Sequence, residues 1–163
     1  LPKGARPKLW VLAVGVSTYR ERGYQLRYAA KDARDVSQFF LQEGPFGRPA
    51  HQQNPRSPQN NFGYHEVEVR TLTDAEVTRE GLAAAGDFLA RAQLDDTVVV
   101  FFAGHGVLDE RGRYYFGTWD MDFSAPQARG LAYGALEELL GRPAARRRLV
   151  LLDTCNAGEA VAG

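Results

Sequence analysis

The chain has 163 residues, of which 44% are hydrophobic and 25% are charged, values that are ordinary for one globular domain. Its 20 basic and 20 acidic residues balance to a formal net charge of zero, which argues against a dedicated binder of nucleic acid or of an anionic membrane. The single cysteine, Cys155, excludes an internal disulfide and a cysteine-rich zinc site, and no apolar run is long enough for a transmembrane helix.

The first half of the chain alternates strand and helix patterns. Residues 9–16 form a nearly unbroken apolar run, which predicts a strand buried on both faces of a parallel sheet. Residues 29–43 carry apolar side chains at helical spacing and end at a Gly-Pro pair, which predicts a helix. A proline-rich loop is expected over residues 44–64, and valines alternating with charged residues predict a more exposed strand over residues 65–72.

The second half continues the alternation. Thr78 is predicted to cap a helix that runs to about residue 93. Residues 98–104 and 148–153 are further apolar strands, and between them we expect a turn at residues 109–112, a short strand at residues 114–116 and a helix at residues 136–140. This order predicts a single α/β domain over residues 9–163, a three-layer α/β/α sandwich on a mostly parallel sheet, preceded by a tail or linker at residues 1–8.

Two of the predicted strands end in residues that carry chemistry. His105 lies between two glycines after one strand, and Cys155 follows Asp153-Thr154 at the end of the last. Because ligands gather outside the carboxyl ends of parallel strands, we expect His105 and Cys155 to face one another at one sheet edge. A thiolate is a nucleophile, an imidazole can protonate the leaving amine, and the N–H groups of Gly106 and Cys155 could bind an oxyanion. Taken singly, Cys155 could instead be an apolar filler and His105 a turn residue.

The segments around these two residues resemble a known family. VVVFFAGHGV (residues 98–107) and LVLLDTCNAG (residues 149–158) closely resemble the His and Cys motifs of the caspase-like cysteine peptidases, most nearly the bacterial metacaspase or paracaspase-like branch. LWVLAVGVSTYR and LRYAAKDARDVSQFF resemble the first strand and first helix of that branch. The resemblance implies a caspase-like fold in which His105 is the catalytic histidine, Cys155 the nucleophile, and Gly106 and Cys155 the oxyanion donors.

The same resemblance implies a pocket for the residue before the cleaved bond. In the metacaspase branch this pocket is acidic and takes Arg or Lys, and Asp32 and Asp153 match its two carboxylates. A buried carboxylate pair is costly unless a cation pairs with it, and a substrate Arg can do so through a bidentate fork. Alternatively, Asp32 is a solvated residue favoured by the helix dipole. Relatives that cleave after Asp have an Arg just ahead of the first helix; Leu26 is the nearest aligned position here, and Arg27 lies beside it.

The chain also departs from the family pattern. The branch commonly has His-Ser-Gly after the nucleophile, whereas this chain has Asn156-Ala157-Gly158, which puts substrate-side contacts in doubt more than the bond chemistry. Some relatives need calcium, but the two alternating carboxylates Asp120 and Asp122 fall short of a calcium loop, and a solvated turn is the preferred interpretation. We therefore expect no cofactor and no metal site.

The sequence thus predicts a cysteine endopeptidase that cleaves proteins after Arg or Lys. By resemblance we expect a bacterial cytoplasmic enzyme of a regulated defence or cell-death system, activated by processing. The chain looks like the large catalytic portion, so its expected partners are a protein substrate and the C-terminal small portion of the same precursor as a second chain, with no nucleic acid and no membrane. Two alternatives remain: an inactive caspase-like scaffold or dimerisation module and, more weakly, a flavodoxin-like domain, which the absence of a glycine-rich phosphate loop argues against.

Overall fold

Four parallel strands form the central sheet. The computed structural model describes residues 7–43, 64 and 66–155, and within them these strands are β1 (Lys8–Gly15), β2 (Glu66–Thr73), β3 (Thr97–Gly104) and β7 (Arg147–Thr154). They are hydrogen-bonded in the order β2-β1-β3-β7. The two central strands, β1 and β3, are almost wholly apolar because both of their faces are covered, whereas the charged residues that alternate along β2 lie at an edge.

A small antiparallel sheet follows β3. Its strands are β4 (Gly106–Leu108), β5 (Tyr114–Phe116) and β6 (Leu131–Ala132), in that order. Asp109 closes the turn between β4 and β5, because its carboxylate accepts the backbone N–H groups of Arg111 and Arg113, each at 2.9 Å. The bond from the Arg113 N–H is the largest of the effects that lower the pKa of the Asp109 carboxyl. Sequence patterns predicted this turn and β5, but strands as short as β4 and β6 show no period.

Helices cover both faces of the central sheet. They are α1 (Ala29–Gln38), which continues as a π-helical turn over Phe39–Glu43, α2 (Arg79–Leu89), the single turn α3 (Pro126–Arg129) and α4 (Tyr133–Gly141). α1 packs on one face, where the hydroxyl oxygens of Ser37 and Thr71 form a hydrogen bond with 2.6 Å between them. The apolar sides of α2 and α4 pack on the other face, within the main hydrophobic core. The predicted α/β/α sandwich is therefore confirmed.

The amino end of the sheet is closed by a buried carboxylate. Asp96 accepts the backbone N–H of Lys8 at 2.7 Å, the indole N–H of Trp10 at 2.9 Å and the backbone N–H of Gln93 at 2.8 Å. Three donors replace the water that the carboxylate loses on burial, which is the condition under which a buried charge is tolerated. This end of the sheet is therefore structural and lies opposite the strand ends that carry His105 and Cys155.

Most predicted elements agree with the structure within a few residues. Thr78 caps α2 as predicted, since its hydroxyl accepts the Gly81 N–H at 3.1 Å, but the helix ends at Leu89 rather than near residue 93. Three sequence-based predictions lie wholly or largely outside the described residues: the N-terminal tail, the proline-rich loop, and the segment Asn156-Ala157-Gly158. None of the helices within the described ranges is long and apolar enough to cross a membrane.

Candidate active site

His105 and Cys155 follow neighbouring parallel strands at the same sheet edge. β3 and β7 pair in register up to Gly104 opposite Thr154, so His105 and Cys155 are the next residues along each strand. Gly106 lies against Cys155, because a Cβ built on Gly106 would be 2.0 Å from the Cys155 carbonyl oxygen. His105 is half-buried and Cys155 is exposed. The main chains of the two motifs are therefore in contact, and a reagent can reach the cysteine.

The imidazole of His105 is oriented by a backbone carbonyl. Its Nε2 lies 2.8 Å from the carbonyl oxygen of Tyr24. A carbonyl can only accept a hydrogen bond, so Nε2 carries the hydrogen, and in the neutral ring Nδ1 is then the nitrogen that can accept a proton. The main chain of His105 is fixed as well, since its N–H donates to the Tyr19 hydroxyl at 2.9 Å and its carbonyl accepts the Gly117 N–H at 2.8 Å.

Three aromatic rings surround this imidazole. The ring centroids of Tyr19, Tyr24 and Phe123 lie 5.1, 6.1 and 5.5 Å from that of His105. Tyr24 and Phe123 also stack on each other, with centroids 3.6 Å apart and planes 2° from parallel. Burial holds the pKa of Tyr19 well above its usual value, so its hydroxyl stays a neutral acceptor for the His105 N–H.

The loop between β1 and α1, which carries Tyr19 and Tyr24, is anchored by Asp74. One oxygen of the Asp74 carboxylate accepts the N–H groups of Ser17 and Thr18, both at 2.8 Å. Asp74 itself has a φ of 50°, a left-handed conformation that Asp tolerates better than most residues. The Ser17 hydroxyl in turn accepts the N–H of Ala30 at the start of α1. These bonds fix where the loop leaves the sheet and where the first helix begins.

The end of β7 is held by Tyr114 of the small sheet. The hydroxyls of Tyr114 and Thr154 lie 2.8 Å apart, and the Tyr114 ring also touches the position that a Cβ on Gly106 would occupy. Burial raises the pKa of Tyr114, so its hydroxyl stays protonated and can donate this hydrogen bond. The small sheet therefore supports both the histidine and the cysteine motifs.

The two predicted pocket carboxylates lie on one face of the sheet. Asp153 of β7 lies opposite Ala103 of β3, and Ala103 lies opposite Gly15 of β1. Gly15 in turn lies under Ala29, in the first turn of α1. Asp32 belongs to that same first turn. The expected burial is not seen, because Asp32 is half-buried and Asp153 is exposed in the described part of the chain. Neither carboxylate has a hydrogen-bonding or ion-pairing partner within the described residues.

Residues just ahead of α1 differ in their roles. Leu26 packs against the main core, and its N–H donates to the Ser17 carbonyl at 2.8 Å. Arg27 is exposed, with its guanidinium carbon 5.8 Å from the centroid of the Tyr28 ring. The position nearest to the family's Asp-selecting Arg is thus an apolar core contact, and the neighbouring Arg27 lies at the surface.

The two carboxylates considered for calcium are used within a turn. Asp120 forms an ion pair with Arg129 and accepts the Thr118 hydroxyl at 3.2 Å. Asp122 accepts both the N–H of Ser124 at 2.9 Å and its hydroxyl at 2.6 Å. The described residues contain no group of three or more His, Cys, Asp or Glu side chains that could hold a metal ion. Through these contacts, both carboxylates serve the hydrogen bonding of the turn that residues 118–124 form.

Sequence reasoning found the two strand-end residues but missed their surroundings. Tyr24 acts through a backbone carbonyl, which no residue type signals, and it lies 81 positions from His105. Phe123 is one of nine phenylalanines and gives no local sign of proximity to His105. The glycines on either side of His105 are a sequence signal from which close packing there could have been inferred.

Comparisons with known proteins extend over nearly the whole chain. The caspase domain family matches residues 8–163. No curated protein matches the chain. The chain is similar to the crystal structure of protein GSU0716 from Geobacter sulfurreducens, with 22% sequence identity and a TM-score of 0.61, over 91% of this chain and 51% of that one. At this identity the similarity concerns the fold, and the chain spans about half the length of that protein. Given the extent of the family match, the chain belongs to the caspase domain family of peptidases.

Proposed function

We propose that this chain is the large catalytic portion of a cysteine endopeptidase that cleaves proteins after Arg or Lys. The observation that carries the proposal is the hydrogen bond from Nε2–H of His105 to the Tyr24 carbonyl, which leaves Nδ1 as the basic nitrogen at the edge where β7 delivers Cys155. Family membership and the exposure of Cys155 support the same assignment.

The proposed reaction needs only a thiol, an imidazole and two backbone donors. The Cys155 proton moves to Nδ1 of His105, and the sulfur forms a bond to the scissile carbonyl carbon. The N–H groups of Gly106 and Cys155 bind the resulting oxyanion. Nδ1–H then protonates the leaving amine as the C–N bond breaks, and a water deprotonated by His105 hydrolyses the thioester. No cofactor enters these steps.

Basic specificity is proposed from the two carboxylates. Asp32 lies in the first turn of α1, above Gly15 of β1, and Asp153 lies two strands away on β7 at the matching register, and no described side chain neutralises either of them through a hydrogen bond or ion pair. A guanidinium or ammonium group of the substrate would supply the missing partner, and Arg would do so with two parallel hydrogen bonds. Because Asp153 is exposed, the pocket needs a further wall to exclude water.

The C-terminal small portion of the precursor is the proposed partner that provides this wall. Among the described residues, β7 lies at the edge of the sheet, with Leu149 50% and Leu151 42% exposed. An apolar face on an unpaired strand edge is an aggregation hazard unless another segment covers it. We assign that role to the small portion, released by processing in a bacterial cytoplasmic defence or cell-death system. If this chain alone proved monomeric and fully stable in sedimentation and thermal unfolding, the assignment would be wrong.

Reporter peptides test the activity and its specificity. The protein carrying this chain should cleave peptides with Arg or Lys before the reporter group and leave the Asp peptide intact. Cys155→Ser and His105→Gln should each lower kcat/KM by about a thousandfold or more. Asp32→Asn and Asp153→Asn should each lower kcat/KM for the Arg peptide by about ten- to a hundredfold, whereas Asp95→Asn at the opposite sheet end is the matched control.

Two results would overturn the proposal. Faster cleavage of the Asp peptide would exclude an acidic pocket while leaving the peptidase assignment in place. Partner assembly that survives Cys155→Ser, together with no cleavage of any peptide by the unaltered protein, would instead favour the inactive scaffold. The mass of the intact protein before and after incubation shows in addition whether the precursor cleaves itself.

A further inference from the structure

Hydrogen bonds and ring contacts attach the turn that contains Phe123 to the loop that contains Tyr24. The Arg20 N–H donates to the Trp119 carbonyl at 3.0 Å, and the Phe123 N–H donates to the Glu21 carboxylate at 3.3 Å. The Phe123 ring stacks flat on the Tyr24 ring. The Phe123 ring also meets the Tyr19 ring edge-to-face, with centroids 5.3 Å apart, so two backbone donors and two ring contacts join segments that lie about a hundred residues apart in sequence.

This turn is itself built rigidly. Asp122 caps it through both hydrogen bonds from Ser124, and Asp120 joins it to Arg129. The Trp119 N–H donates at 2.8 Å to the carbonyl of Val77, the residue after the 3-10 turn that follows β2, and so attaches the turn to that connection. The turn is thus fixed to the scaffold independently of the loop, which makes it a support against which the loop can rest.

The tip of the Tyr24 loop, by contrast, lies at the surface and is held from within the loop by Gln25, whose side chain accepts the Tyr19 N–H at 2.8 Å and donates to the Tyr19 carbonyl at 2.9 Å. Residues 20–25 are all exposed, and Tyr24 is 38% exposed even with Phe123 against it. Yet the Tyr24 carbonyl is the group that holds Nε2–H of His105. The Phe123 ring also meets the imidazole edge-to-face, with centroids 5.5 Å apart and planes at 89°. The Phe123 ring therefore contacts both Tyr24 and His105, the two residues that the orienting hydrogen bond joins.

We propose that Phe123 is a positioning residue that keeps the Tyr24 carbonyl on Nε2 of His105, and so keeps Nδ1 as the ring's proton acceptor. Its catalytic consequence rests on the proposed function, because only a reacting histidine needs one particular tautomer. Without the stack, the loop tip moves, Nε2 loses its fixed acceptor, and the ring divides its time between tautomers and orientations. The proposed effect of Phe123 is on the imidazole and not on a substrate-binding group, so we expect the loss to fall on the chemical step.

The first test measures peptide cleavage by stack-breaking variants. Phe123→Leu keeps apolar bulk but removes the stack, and we expect kcat to fall about tenfold, the factor that corresponds to one aromatic pair, with KM nearly unchanged. Phe123→Tyr should retain wild-type kcat. Tyr24→Leu breaks the same stack from the other side and keeps the carbonyl, so it should match Phe123→Leu, and the double variant should lose no more than either single one. Phe39→Leu, an exposed phenylalanine on the far end of α1, is the control.

The second test does not need activity. In protein labelled with ¹⁵N-histidine and carrying Cys155→Ala, the signal that disappears in His105→Gln belongs to His105, and its two nitrogen shifts report which nitrogen carries the hydrogen. In the Cys155→Ala protein we expect His105 to carry its hydrogen on Nε2. Adding Phe123→Leu or Tyr24→Leu should give a mixture of the two tautomers, whereas adding Phe39→Leu should leave the Nε2–H tautomer unchanged. Unchanged His105 shifts in both stack variants would overturn the proposal, even if Phe123→Leu were less stable. Absence of peptidase activity in the unaltered protein would count against the proposed function alone, since the nitrogen shifts would still decide the role of Phe123.

Discussion

Replacing Gly106 by alanine should separate the histidine motif from the cysteine motif. A Cβ at this position would lie 2.0 Å from the Cys155 carbonyl oxygen and 2.8 Å from Cε2 of Tyr114, whereas real Cβ contacts are essentially never closer than 3.0 Å. The obstructing atom is main chain and cannot rotate aside like a side-chain end. The two segments must therefore move apart by about 1 Å, a misplacement of the size that can cost about a hundredfold in rate.

The expected result is a joint loss of rate and stability. We expect Gly106→Ala to lower kcat/KM by about a hundredfold, and overpacking at a closed contact typically costs about 1–3 kcal/mol of unfolding free energy. Gly134→Ala is the matched control, because nothing lies within 4 Å of a Cβ there and the residue is in α4. Alanine in an exposed helix should be neutral or stabilising by up to about 1 kcal/mol.

Peptide cleavage, thermal unfolding and the rate of Cys155 alkylation by iodoacetamide measure the effect. Alkylation is informative even if the protein cleaves no reporter peptide, since it reads the surroundings of the thiol directly. Should Gly106→Ala keep kcat/KM, alkylation rate and Tm within error of Gly134→Ala, the close approach of the two motifs would be refuted, and with it the argument that glycine is required beside His105.

Three further substitutions test other parts of the structure. Asp96→Ala should lower the unfolding free energy in urea by about 2–4 kcal/mol, because it leaves the buried indole N–H of Trp10 and the part-buried N–H groups of Lys8 and Gln93 without their acceptor. Tyr19→Phe removes the acceptor of the His105 N–H and should cost about 1–3 kcal/mol, together with a lower kcat. Hydrogen bonds from Ser124 lower the pKa of the Asp122 carboxyl from 3.8, and the bond from the Ser124 hydroxyl has a larger effect than the bond from its N–H. The stability that these bonds add to the folded state is therefore present above about pH 4. It is lost as the pH falls through the lowered pKa. An NMR titration of that carboxyl checks the direction, and Ser124→Ala should return the pKa toward 3.8.

The sequence predicted the elements whose surroundings are uniform along their length. β1 and β3 are apolar at nearly every position because helices cover both of their faces, so a simple apolar run was enough to find them. β7 was predicted by the same rule, yet Leu149 and Leu151 are exposed among the described residues. The apolar run was the right indication of a strand, but burial could not be derived from it, because burial depends on what covers the sheet edge.

The candidate site was predictable only where chemistry depends on residue type. His105 and Cys155 follow strands, and strand ends can be located from the chain. The carbonyl that orients the imidazole belongs to Tyr24, but any residue at that place would supply a carbonyl. The stack of Phe123 on Tyr24 depends on how a turn after β5 folds back on the loop after β1, a tertiary relation that local patterns do not contain.

The two glycines that flank His105 are required for different reasons. A Cβ on Gly104 would lie 2.9 Å from the Tyr19 hydroxyl, the group that accepts the His105 N–H, whereas a Cβ on Gly106 would meet the Cys155 main chain. The first glycine thus lets the histidine lie close to the tyrosine that fixes its backbone, and the second lets the histidine segment lie close to the strand of the nucleophile. Both close approaches occur at one sheet edge. The Gly-His-Gly pattern is visible in three consecutive residues, yet it is required by contacts with Tyr19 and Cys155, which are distant in sequence. This is why so short a motif was informative about the candidate site.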